Sequence, residues 1–215
     1  MILPIGEGTK RHSFPIFNVL LLVANVAVFW HQATAPETAN LVATYALVPE
    51  YWSFKTLLTS MYLHGGLWHL VGNMMFLMIA GNSVEDRMGH LPYLVFYHVA
   101  GMAGGLAHVA VSNGAAALVP CVGASGAISG VMAAYLVFFP TAPIKYVVLP
   151  FMRTFESPCW YSVGLWVLAQ FLLWKQSISG KATEVAVMAH IGGFAFGLVA
   201  ALLLRLFGRN PDVKK

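Results

Sequence analysis

Long apolar runs separated by short polar segments dominate this sequence of 215 residues. Hydrophobic residues make up 59% of the chain and charged residues only 9%, whereas roughly a quarter of an ordinary soluble domain is charged. A helix needs about 20 largely apolar residues to cross the hydrocarbon core of a bilayer. The chain therefore has room for several membrane spans, and we interpret residues 1–215 as a single membrane domain.

Six apolar runs predict six transmembrane helices, so the expected fold is an all-α membrane bundle. The second and fourth runs are short, but uncharged flanks that contain glycine can extend them to a workable length. Short tails, residues 1–13 and 208–215, flank the bundle. The six runs are Phe14–His31, Leu67–Ala80, Leu91–Val111, Ser125–Phe139, Trp160–Trp174 and Val185–Phe207.

The positions of the basic residues predict the orientation of this bundle. If both termini lie on one side, only Lys55, Lys175 and Lys181 of the twelve Lys and Arg residues lie on the other. The positive-inside rule therefore places both termini in the cytoplasm or its equivalent. Residues 10–35 imitate a cleavable signal peptide, but loss of the first helix would spoil this balance, so we expect it to be retained. The net charge reflects topology, and no binding of nucleic acid is expected.

Several polar side chains fall within the predicted spans, where each one is costly and therefore indicates a functional site. Ser125 begins the fourth helix, and His190 lies six residues after Glu184, roughly 9 Å below the outer start of the sixth. His69 and Asn73 are four residues apart, on one face of the second helix. Helices two, four and six all run inward from the outer side, so these side chains are expected to share one depth.

These residues can supply the parts of a serine protease. A serine hydroxyl becomes a nucleophile when a base takes its proton, and an imidazole can do so near neutral pH. Ser125 and His190 supply this pair. The Asn73 amide, the His69 ring and the backbone N–H at the start of helix four are suitable donors to an oxyanion. The nearest carboxylates fall at the cytoplasmic end of helix two, so we predict a Ser–His dyad.

Glycines beside the proposed dyad favour close approach of its helices. Gly126 and Gly130 form one GxxxG step, and Gly193 and Gly197 form another. Such steps let the backbones of transmembrane helices come close together. Helices four and six are therefore expected to be neighbours.

Other functions remain open at this point. A multi-pass transporter could line a substrate path with the same polar residues, and a non-catalytic scaffold could hold transmembrane partners. An HExxH motif is absent and neither aspartate lies mid-span, so zinc and aspartyl proteases lack support. Cys121 and Cys159 have no metal-ligand spacing, and no metal or cofactor is expected. His98 and His108 fit no known spacing and are interpreted as packing residues.

Three motifs resemble those of the rhomboid intramembrane serine proteases and occur in the family's order. Residues 64–73, HGGLWHLVGN, resemble the histidine-rich start of helix two. Residues 123–126, GASG, match the GxSG motif at the start of helix four. Residues 189–193, AHIGG, followed by Gly197, resemble the motif of helix six. The likeness extends from the first predicted helix to the sixth.

This resemblance implies a six-helix protease in which Ser125 is the nucleophile and His190 the general base. It implies that His69 and Asn73 help to bind the oxyanion. The residues that the resemblance assigns to structural support are His64, Gly123, Gly126, Glu85, Gly193 and Gly197. Its substrates would be transmembrane proteins, cleaved in or next to their spans within the lipid bilayer, and the short tails suit a bacterial inner membrane.

Two positions depart from the family pattern. Ser129 stands where many bacterial members carry a tyrosine that stacks on the base, and Lys55–Thr56 stands where a Trp–Arg pair is common. The first departure is expected to loosen the orientation of His190. Neither departure removes a reacting group.

Overall fold

The computed structural model describes residues 2–35, 38–178 and 186–207, and within these ranges the chain is mostly helical. The start of the sixth predicted run at Val185, the preceding Glu184 and Lys181, and the predicted tail 208–215 lie outside the described residues. The α-helices, in chain order, are α1 (Ile16–Thr34), α2 (Thr38–Tyr45), α3 (Phe54–Thr59), α4 (Leu67–Phe76), α5 (Asn82–Met88), α6 (His90–Val111), α7 (Ser125–Phe138), α8 (Cys159–Ile178) and α9 (Val187–Phe207).

Four helical segments of the described chain are long and apolar enough to cross a membrane. They are α1, α6, α9 and the segment Leu67–Met88, in which a π-helical turn, Leu77–Gly81, joins α4 to α5. The helix α7 is apolar but shorter. Four such segments indicate an integral membrane protein that crosses the bilayer several times. The count of six spans and the location of the termini stay predictions.

The chain is not entirely helical as predicted, because the structure also contains a small antiparallel sheet. Three strands, β1 (Ile2–Glu7), β2 (Pro143–Val148) and β3 (Arg153–Pro158), pair in the order β1–β2–β3. Six residues of the predicted N-terminal tail therefore form a strand, and the predicted loop between the fourth and fifth helices is a hairpin. Local periodicity did not indicate the sheet because β1 pairs with a segment far away in sequence, from Ile2 opposite Val148 to Glu7 opposite Ile144.

The helix α7 lies at the centre of the bundle, buried along most of its length between α6 and α9. A Cβ atom added at Gly193 would collide with the carbonyl oxygen of Gly126, and one added at Gly197 would collide with that of Gly130. On α6, a Cβ atom at Gly104 would collide with the backbone of α9. These helices therefore touch through their backbones, which small residues permit.

A buried carboxylate holds the start of α1. Glu85 is fully buried, and its two carboxylate oxygens accept hydrogen bonds from the backbone N–H groups of Phe17 at 3.0 Å and Asn18 at 2.7 Å. The first N–H groups of a helix have no partner within the helix, so an acceptor there stabilises it. The ring of His90 also bonds to Glu85, with 2.6 Å between Nδ1 and Oε1. Glu85 thus joins α1, α5 and α6.

A second link joins α1 to the loop before α4. The Gln32 side chain accepts from the backbone N–H of His64 at 3.1 Å and donates to its carbonyl oxygen at 2.7 Å. The His64 ring is fully buried and lies edge-on to the rings of Phe29 and His69. Burial, with a contribution from His69, lowers the pKa of His64 to about 4. His64 is therefore neutral at physiological pH.

Alanine at Gly197 tests the backbone contact between α7 and α9. Its methyl group would overpack against Gly130, so we expect a loss of about 1–3 kcal/mol in the free energy of unfolding and a lower melting temperature in detergent. Gly164→Ala in α8 is the matched control, because a Cβ atom there meets nothing within 4 Å among the described residues. That change should be neutral or slightly stabilising. Equal melting temperatures for both variants would contradict the contact.

The buried His64 predicts a pH dependence of stability. The unfolded chain binds a proton at His64 near its ordinary pKa of 6.5, but the folded chain does so only near about 4. The free energy of unfolding should therefore fall as the pH decreases through this interval, by about 3 kcal/mol once the pH is below both values. In His64→Phe this contribution is missing. Melting temperatures of both proteins between about pH 7.5 and pH 4 measure the difference, and parallel curves would rule it out.

Candidate active site

Ser125 and His190 meet between α7 and α9. Ser125 is the first residue of α7, His190 lies in the first turn of α9, and both are half-buried. The Ser125 Oγ atom lies 2.7 Å from His190 Nε2, which is within the range of a hydrogen bond. The backbone contact between Gly126 and Gly193, close to both residues along the chain, brings the two short side chains together.

The other nitrogen of the His190 ring contacts a residue that sequence analysis missed. His190 Nδ1 lies 2.8 Å from Gln170 Oε1 in α8, and Gln170 is only 7% exposed. An amide oxygen can only accept, so Nδ1 carries the ring proton. Nε2 then presents its lone pair to the Ser125 hydroxyl, which donates. The available sequence signal was an amide side chain within an apolar run.

Aromatic support for His190 also comes from α8. The ring of Trp166 lies 5.9 Å from the His190 ring, centroid to centroid, at an interplanar angle of 37°. Trp166 and Gln170 are four residues apart, so they share one face of α8. The Ser129 hydroxyl instead donates to the backbone carbonyl of Ser125 at 2.6 Å. Trp166 thus supplies the aromatic contact that Ser129 cannot.

His69 and Asn73 line the backbone just before Ser125. Gly123 has a φ of 127°, a conformation that favours glycine. A Cβ atom there would lie 3.0 Å from His69 Nε2 and 3.6 Å from Asn73 Nδ2. Asn73 Nδ2 is buried and has no hydrogen-bond partner among the described residues. A buried donor left without a partner is costly, so this amide indicates a place for an incoming oxygen atom.

The His69 ring also offers a donor on this side. The backbone N–H of Gly65 donates to His69 Nδ1 at 3.4 Å. Because a backbone N–H can only donate, Nδ1 is the acceptor and the ring proton is on Nε2. His64 packs against this ring, with 5.3 Å between the centroids. The N–H of Gly123 itself donates to the carbonyl of Ser60 at 2.9 Å, which fixes the neighbouring loop.

The start of α7 adds backbone donors to the same place. The first N–H groups of a helix have no acceptor within the helix, and the helix dipole favours negative charge beside them. Ser125 is the first residue of this helix. The structure therefore brings together a serine hydroxyl, an imidazole acceptor and several N–H donors. Acyl transfer needs these groups as nucleophile, base and oxyanion donors.

Other candidate groups have different surroundings. His98 is engaged on both ring nitrogens, by the Tyr62 hydroxyl at 2.7 Å and the carbonyl of Leu94 at 2.8 Å, and His108 is half-buried in α6. Burial raises the pKa of Cys121 to about 11, so its thiol is protonated near neutral pH and is a poor nucleophile. Within the described part of the chain, no group of three or more His, Cys, Asp or Glu side chains could hold a metal ion.

Comparison with known proteins points to one family. RHOMBOID-like protein 5 of Arabidopsis thaliana is 29% identical over 150 residues, 70% of this chain and 44% of that protein. Rhomboid protease GluP of Bacillus subtilis (strain 168) is 30% identical over 205 residues, 91% of this chain and 36% of that protein. Rhomboid protein 1, mitochondrial, of Saccharomyces cerevisiae is 32% identical over 203 residues, 88% of this chain and 53% of that protein.

The chain thus spans between 36% and 53% of the length of these relatives, which come from a plant, a bacterium and a yeast mitochondrion. Residues 49–207, more than half of the chain, match the family model described as Rhomboid domain. This match includes α3 to α9 and every residue of the cluster around Ser125 and His190. The chain therefore belongs to the rhomboid family.

Proposed function

We propose that this rhomboid protein is an intramembrane serine protease that hydrolyses peptide bonds in or next to the transmembrane segments of other membrane proteins. The observation that carries the proposal is the 2.7 Å contact between Ser125 Oγ and His190 Nε2. The name of one relative, Rhomboid protease GluP of Bacillus subtilis, describes the same activity for that protein.

In the proposed reaction, Ser125 Oγ attacks the scissile carbonyl carbon while His190 Nε2 takes the hydroxyl proton. The negative charge develops on the former carbonyl oxygen, where the Asn73 amide, the His69 Nε2–H and the first N–H groups of α7 donate hydrogen bonds. The protonated His190 then gives its proton to the leaving amine. Water hydrolyses the resulting acyl-enzyme, with His190 acting as the base again.

The proposed topology has six spans, in which α7 and α8 join the four long apolar segments, and both termini face the cytoplasm or its equivalent. The site then lies toward the outer side, where water reaches it. A substrate helix hides its carbonyl groups in hydrogen bonds, so the proposed substrates have a locally unstable helix with small residues at the cut. We propose a bacterial inner membrane as the location and residues 1–215 as one catalytic domain.

Ser125→Ala tests the nucleophile. The purified protein, in detergent or vesicles, should cleave a reporter transmembrane substrate and take up a fluorophosphonate probe, and both signals should vanish in this variant. His190→Ala should be about as damaging, because members of one catalytic unit fail together. Ser112→Ala, which removes a hydroxyl from a different part of the chain, is the control. Undiminished cleavage by Ser125→Ala would exclude the mechanism, whereas solute flux into vesicles that survives Ser125→Ala would favour a transporter.

Asn73→Ala tests the oxyanion site. The amide acts on charge that develops in the transition state, so kcat should fall by roughly a hundredfold to a thousandfold, or about 2.7–4 kcal/mol, while KM changes little. Asn113→Ala, at an exposed loop position, is the matched control. Steady-state kinetics on the reporter substrate provide both parameters. A kcat equal to that of the control would remove Asn73 from the oxyanion site.

A further inference from the structure

A buried glutamine lies where the acidic member of a serine-protease triad would be. We propose that Gln170 is a positioning residue that completes a Ser125–His190–Gln170 triad, a role that rests on the proposed protease function. Gln170 holds the His190 ring through Nδ1 and thereby selects the tautomer whose Nε2 accepts the Ser125 proton. The predicted dyad is then a triad with an uncharged third member.

The hydrogen bonds form one continuous chain from α7 through α9 to α8. Ser125 Oγ lies 2.7 Å from Nε2 of His190, and Nδ1 of the same ring lies 2.8 Å from Gln170 Oε1. Neutral imidazole has two tautomers, and only the one protonated on Nδ1 can take a proton at Nε2. An acceptor at Nδ1 therefore selects the reactive form, as the aspartate does in conventional triads.

The position of Gln170 on α8 explains why its amide faces the site. Cys159, Val163, Trp166 and Gln170 follow one another at spacings of four, three and four residues, which is one stripe of a helix. The first two are buried, Trp166 packs on His190, and Gln170 ends the stripe. The opposite side of α8 carries exposed apolar residues such as Leu168. The fold of α8 thus directs this amide inward.

An amide suits this position better than a carboxylate would. A charged group within a span is costly to remove from water, whereas a glutamine oxygen provides the same acceptor without a net charge. The imidazolium that forms in the transition state receives less electrostatic stabilisation from an amide than from a carboxylate. Orientation and tautomer selection are therefore the main contributions of Gln170.

Gln170→Met removes the acceptor while keeping a side chain of similar length. We expect kcat to fall about tenfold or more, with KM within about twofold of wild type, because the lost contact acts on the base and not on substrate docking. The rate of labelling by a fluorophosphonate probe should fall by a similar factor, since it reports Ser125 reactivity without a transmembrane substrate. Leu168→Met, on the exposed face of α8, is the matched control and should match wild type in both assays.

Gln170→Glu tests the positioning role through the pH–kcat profile, which a purely structural role of Gln170 would leave unchanged. The carboxylate keeps an acceptor at Nδ1 and adds negative charge beside the ring, so the acid limb of the pH–kcat profile should move to higher pH by about one unit or more. Among the described residues, His69 in α4 is a titratable side chain that acts on His190 across the site. His69 is unchanged in Gln170→Glu, so a difference between the pH–kcat profiles of this variant and wild type results from the change at position 170.

The outcomes separate this inference from the proposed function. Cleavage that persists in Ser125→Ala excludes Ser125 as the nucleophile and with it the proposed serine-protease mechanism. If cleavage depends on Ser125, but Gln170→Met keeps its kcat and labelling rate, the triad alone is wrong. A loss confined to KM assigns Gln170 to substrate docking and also overturns the triad. If Gln170→Met does not fold, the pH profile of Gln170→Glu decides: a displaced acid limb supports the triad, and an unmoved one rejects it.

Discussion

The contact between the backbones of α7 and α9 is the constraint on which the rest of the site depends. Lipid offers no hydrophobic force between helices, so helices associate through close packing and hydrogen bonds. Gly126 and Gly193 let the two backbones touch. Serine and histidine side chains are short, and a 2.7 Å bond between Ser125 and His190 needs helix axes this close. A larger residue at either glycine would separate the two groups even if neither were altered.

Most polar side chains of the site already have hydrogen-bond partners, but the buried Asn73 amide has none among the described residues. Gly65 fixes the His69 ring, and Gln170 and Ser125 occupy the two nitrogens of His190. Asn73 Nδ2 has no such partner in the described chain. Groups engaged in this way need little rearrangement when charge appears, which is the basis of electrostatic preorganisation. In the proposed reaction, the oxyanion would accept a hydrogen bond from this amide.

Ser125, His190, His69 and Asn73 could be predicted because each is a polar residue within an apolar helix. Helical spacing and chain order placed them near one depth. The strand β1 was missed because it pairs with a segment far away in sequence, which leaves no local period. Gln170 and Trp166 were missed for a different reason. The third member of a conventional triad is a carboxylate, and α8 carries no motif, so nothing in the sequence distinguishes the amide in its apolar run. Recognising it required knowing which face of α8 meets α9.

Two separate sets of contacts therefore position the His190 ring. Backbone packing against α7 sets how far His190 lies from Ser125, whereas Trp166 and Gln170 set the tilt and the tautomer of the ring. The first set is rigid because backbones in contact cannot slide without collision. The second depends on side chains of α8, a helix whose other face is exposed and apolar. A shift of α8 would change the orientation of the ring before it changed the distance between α7 and α9. The orientation of the His190 ring is therefore more sensitive to the position of α8 than the contact between α7 and α9 is.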